Sequence, residues 1–91
     1  MKLFKEFLLD DKNIAEQTIY LPQGAEAVGI RMTDKGLMLY VIIGYEATAP
    51  ELRTFKICVN GENFIANTVK YIGNFESSLG IKHVIEIIKE Y

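Results

Sequence analysis

The chain has 91 residues, with 10 Lys and Arg against 12 Asp and Glu and a formal net charge of −2. That length allows one domain, residues 1–91, with a modest core. Its bases are scattered among acids, which excludes the roughly 6–10 clustered cations that broad nucleic-acid binding uses. One Cys (Cys58) and one His (His83) exclude an internal disulfide and a zinc site of the usual kind, so neither a metal nor a cofactor is expected. The start, with Lys2, Lys5 and Glu6 inside its apolar pattern, is unlike a signal peptide. No apolar run approaches the roughly 20 residues that span a bilayer. The expected setting is the cytoplasm, with no membrane partner.

Lys2 to Leu9 reads equally as a strand buried on both faces or as a helix with a Leu3, Phe4, Phe7, Leu8 stripe. Asp10 to Asn13 is a solvated turn. Thr18 to Leu21 is a short strand with Ile19 and Leu21 facing one way, ended by Pro22. Ala27 to Met32 is a strand with Val28, Ile30 and Met32 on one face. Thr33 to Gly36 is a hairpin turn. Leu37 to Tyr45 returns as a strand apolar on both faces, so it belongs in the centre of a sheet. Glu46 to Glu51 is a loop.

Arg53 to Val59 is a strand with Phe55, Ile57 and Val59 on one face and Thr54, Lys56 and Cys58 on the other. Asn60-Gly61 is the strongest hairpin signal, with Phe64-Ile65 starting the returning arm. Asn67 to Phe75 is a strand, and Glu76 to Gly80 a polar loop. Ile81 to Tyr91 fits a helical stripe, but its Ile and Val content favours a strand. The pattern predicts a mainly β fold: one small antiparallel β domain, a sandwich or partly open barrel of about six strands. A short helix at one terminus is the alternative.

Catalytic constellations are scarce. Asp10 and Asp11 sit in a polar turn and point apart. Ser77 or Ser78 with His83 lacks a nucleophile elbow. Cys58 lies mid-strand among apolar neighbours, as a packed thiol does. No phosphate loop occurs. The chain is therefore not expected to be an enzyme. Arg53 shares the parity of Phe55 and so faces the core at its rim. There it can pair with Glu51 or Glu46, or present its planar fork to a phosphate or carboxylate. Arg31 has the opposite parity to Ile30 and is expected to be exposed. Tyr40, Tyr45 and Tyr71 can serve as core rings with bonded hydroxyls or as stacking platforms for bases.

Several segments together resemble a family of small uncharacterised proteins of bacteriophages and prophages. The resemblance rests on Gln17-Thr18-Ile19-Tyr20-Leu21-Pro22-Gln23-Gly24-Ala25, Leu39-Tyr40-Val41-Ile42-Ile43 and Glu51-Leu52-Arg53-Thr54-Phe55-Lys56-Ile57. Tyr71-Ile72-Gly73-Asn74 and His83-Val84-Ile85-Glu86 complete it. The chain departs from the family pattern at Tyr40, often Trp there, and at Val59-Asn60-Gly61, Asn74 and Ile85. The resemblance implies a phage origin, a host-cell cytoplasmic setting and a closing strand over Ile81 to Glu86. By analogy it suggests kinship with the nucleotide sponges that phages use against cyclic-oligonucleotide immunity. The expectation is a non-enzymatic counter-defence protein that sequesters such a signal. Arg53 and Lys56 would take the phosphates, and Tyr40, Tyr71 and His83 the bases. The alternatives are a protein-binding inhibitor of a host protein and a minor virion or assembly protein. Small size and a strand apolar on both faces also predict a homo-oligomer, a dimer first.

Overall fold

A computed structural model describes residues 2–44 and 49–89. Tyr45, Glu46 and the last two residues, for which a strand end, a loop and a ring role were expected, lie outside the described residues. Among the described residues seven strands form in chain order: β1 (Lys2–Leu9), β2 (Glu16–Pro22), β3 (Glu26–Thr33), β4 (Gly36–Gly44), β5 (Pro50–Cys58), β6 (Thr68–Ser77) and β7 (Gly80–Lys89). They build two antiparallel sheets, one ordered β1-β4-β3 and the other β2-β5-β7-β6. The mainly β antiparallel fold matches the expectation. Seven strands stand where about six were expected, and both ends of the described chain are strands rather than a helix.

The core follows from period-two alternation. On β4, Leu37, Leu39, Val41 and Ile43 point inward and are buried, while Met38, Tyr40 and Ile42 between them are half-buried. Leu9, Leu21, Ala27, Phe55, Ile57, Ile72, Phe75 and Val84 complete the core between the sheets. The Cα extents of 40 × 36 × 16 Å describe a slab two layers thick.

On one side the sheets close up where β3 meets β6. A Cβ placed on Gly73 would lie 3.0 Å from Ile30 Cγ1, so glycine sets how near the two edges come. On β3 the predicted shared face of Val28, Ile30 and Met32 is broken. A bulge between Ala27 and Gly29 turns Ala27 inward and leaves Val28 exposed. The alternation resumes beyond it, with Ile30 and Met32 opposite Leu39 and Leu37.

The Asn60-Gly61 expectation needs a second correction. Gly61 does take a left-handed φ of 84°, and the Glu62 N–H donates to the Val59 carbonyl at 3.1 Å. Yet Phe64-Ile65 starts no returning arm. The chain runs on without a strand to Thr68, and the neighbour of β5 is β7. The tight turn is local chemistry. The pairing is decided by β7, which arrives later and carries the buried Val84, Ile85, Glu86 and Ile87.

Candidate functional site

Arg53 sits on the inward face of β5, level with Ile19 of β2. β5 and β7 are paired only from Thr54–Ile87 to Cys58–His83. Beyond Thr54 they part, and the fork is a cleft of about 540 Å³ lined by Glu51, Arg53, Glu86 and Ile88 among others. Arg53 spans it. Its Nε and Nη2 bind the two oxygens of Glu86, the latter at 3.1 Å. Its Nη1 donates to Glu51 Oε1 at 3.1 Å and to the Ala25 carbonyl at 2.8 Å.

Glu86 is 2% exposed, so its charge depends on this bidentate partner. The hydrogen bond to Glu86 is also the main reason the guanidinium pKa is raised. Two carboxylates around one cation leave the cleft with a formal charge of −1. The geometry therefore gives each of the three guanidinium nitrogens of Arg53 a protein partner. Glu51 was among its expected partners. Glu86 was missed, although an acid on the parity of Val84 in an apolar strand signals a buried cation nearby.

Lys56 lies on the outward face of the same sheet and is nonetheless buried. Its Nζ donates to the Ile14 carbonyl at 2.9 Å and pairs with Glu62 Oε2 at 2.6 Å. It thereby pins the segment before β2 and the stretch after β5 over this face. Glu62 is held below the usual carboxylate range, first by the hydrogen bond from Lys56 and then by the Val59 N–H. Beneath lies a second small core of Cys58, Ile85 and Ile87 with Ala66 against it. Burial pushes the Cys58 thiol up, the reverse of what activates a nucleophile.

Tyr71 and His83 stand further along this outward face. The Tyr71 hydroxyl and His83 Nδ1 share a hydrogen bond of 2.9 Å, and Asn74 Nδ2 donates to the same hydroxyl at 3.3 Å. The two rings are tilted, 5.8 Å apart, and Tyr71 is exposed. Tyr40 belongs to the other sheet. It lies against the Phe4 ring at 5.4 Å and over Gly29. The five predicted residues thus occupy three places: Arg53 inside the fork, Lys56 with Tyr71 and His83 on one outer face, and Tyr40 on the opposite one. Ser77 closes the β6–β7 turn, donating to the Gly80 carbonyl at 2.8 Å. Among the described residues no group of three or more His, Cys, Asp or Glu gathers. No helix there is long and apolar enough to cross a membrane.

Sequence reasoning expected a strand apolar on both faces over Leu37 to Tyr45, but not that its second face would form the outside of the β1-β4-β3 sheet. Residues paired directly across an antiparallel ladder share a face. Phe4 opposes Ile42, Glu6 opposes Tyr40, and Leu8 opposes Met38. Phe4 and Leu8 are each 58% exposed, and Val28, at the bulge of the adjoining β3, is exposed as well. An antiparallel sheet normally shows water a polar face. The signal was present in the unbroken apolar run of β4, whose outward half is only half-buried among the described residues. No family model, no curated protein and no solved structure matches the chain.

Proposed function

We propose that this protein is a non-catalytic binding module that engages a protein partner through the outer face of its β1-β4-β3 sheet. One observation carries the reading: Phe4, Leu8, Met38, Tyr40 and Ile42 form a contiguous apolar face on the outside of the sandwich, with the exposed Val28 on the adjoining β3. Contiguous apolar patches of several side chains mark interaction surfaces more often than scattered exposed residues do. Lys2, Glu6, Glu26 and Arg31 rim the face with both signs of charge, the pattern of an apolar centre in a polar border. This accords with an inhibitor of a host protein in a phage setting.

The test is capture of a stoichiometric partner by the wild-type chain and by a Leu8→Glu, Val28→Glu variant. Loss of the partner with a retained fold supports the reading. Equal capture by both overturns it.

A nucleotide sponge is the second reading, favoured by the exposed Tyr71–His83 pair with Asn74 beside it. Such rings offer a stacking surface and polar edges for a base. Calorimetry with cyclic di- and trinucleotides tests it, and silence across the panel at high micromolar ligand removes it.

A further inference from the structure

We infer that a second copy of this chain pairs with the free edge of β1, antiparallel and centred on Phe4. The four edge strands differ in how they are guarded. β2 ends in Pro22, opposite Pro50. β3 carries the bulge at Ala27–Gly29. β6 carries two, at Thr68–Val69 and Tyr71–Gly73, and closes against β3. Proline, bulges, coverage and edge charges are the usual defences against edge-to-edge pairing. β1 has neither proline nor bulge, and its guards are charges alone, with Lys5 on the inward parity opposite Val41. Its eight residues keep unbroken register with β4 from Lys2 to Leu9, and most of its side chains are exposed.

The charges on β1 select among registers. In a two-fold antiparallel pair, opposed residues share a face, and the axis passes midway between one residue and its copy. Centring on Lys5 sets Lys5 against Lys5, and centring on Glu6 sets Glu6 against Glu6. Like charges directly opposed are destabilising. Centring on Phe7 sets Glu6 against Leu8 and Lys5 against Leu9. Centring on Phe4 sets the two Phe4 rings together and Lys2 against Glu6 twice. The stem of Lys5 then lies along Leu3. Lys5 and Glu6 thus reject the neighbouring registers, while Lys2 and Glu6 reward this one.

The result is a continuous six-stranded sheet, and the two apolar outer faces become one. A five-residue ladder is small beside the roughly 800 Å² per partner of a standard interface, so the dimer is weak, with a dissociation constant of about 10–100 µM. This inference stands on the edge and its charges, independently of the partner reading above.

Sedimentation of the wild-type chain from about 5 to 500 µM spans that range. Growth from monomer to dimer is expected, and a monomer throughout overturns the proposal. Lys2→Glu and Glu6→Lys should each weaken the dimer about 2- to 30-fold, and the double variant should recover it. Without that recovery the Phe4-centred edge is wrong. Phe4→Cys should form a disulfide-linked dimer on mild oxidation, whereas Glu6→Cys should not. The reverse outcome overturns the register. Each exposed position is checked by circular dichroism for a retained fold. Leu8 and Val28 lie outside the ladder, so failure of this dimer and failure of partner capture are read separately.

Discussion

Arg53 shows how one side chain can be legible in role and not in destination. Parity alone put it on the core side of its strand. Its main partner comes from β7, 33 residues later, through the fork where β5 and β7 part. Removing it should leave Glu86 buried and uncompensated. Arg53→Met is expected to cost about 3–5 kcal/mol in urea denaturation, and Arg53→Met with Glu86→Leu to recover most of that. No recovery in the double variant would show that the pair contributes more than mutual neutralisation. Glu62 gives a pH signature. Its folded pKa lies below the ordinary value of 4.5, so its tie to Lys56 stabilises above that value and is lost as the pH falls through the lower one. Stability curves of wild type and Glu62→Gln should differ at neutral pH and converge in acid.

At the level of elements, the seam between β3 and β6 depends on Gly73. A methyl group there meets Ile30 at 3.0 Å, tighter than nine in ten real Cβ contacts, so a side chain packed against the core must give by a few tenths of an ångström. Gly73→Ala is expected to destabilise by about 1–3 kcal/mol, and pairing it with Ile30→Ala, which removes the contacting Cγ1, should cost less than the sum of the two single changes. Thermal unfolding of the four proteins of that cycle checks this. The bulge at Val28 belongs to the same seam. A strand that kept strict alternation would have turned Val28 into the core and Ala27 out. Gly29 is the local hint, since a glycine inside a strand often marks a bulge, but where the extra residue falls answers to the partner strand and to the twist the edge must take.

Across the whole molecule, two sheets enclose one core, and one sheet carries a second apolar face on its outside. Leu39 is fully buried between the sheets. Leu39→Ala should cost about 2–5 kcal/mol through the cavity it leaves. By contrast, the exposed Leu8→Glu should change stability by only about 0.5 kcal/mol in either direction, while abolishing binding at the outer face. Chemical denaturation beside partner capture separates core from surface in one pair of variants. A large loss of stability on Leu8→Glu would place that side chain in the fold rather than at an interface.

The sequence by itself determined the fold class, most strand positions, the central place of β4 and the inward aim of Arg53. Those follow from local alternation, from Pro and Gly at turns, and from the length of apolar runs, all of which act over a few residues. Tertiary structure decided the rest. It inserted β7 beside β5 and left Asn60-Gly61 a turn without a hairpin. It gave Glu86 to Arg53 and separated Tyr40 from Tyr71 by the thickness of the sandwich. It also determined which apolar face was covered and which stayed open. Strand order and the pairing of sheet faces are settled by burial summed over distant segments, and no short window of sequence carries that sum.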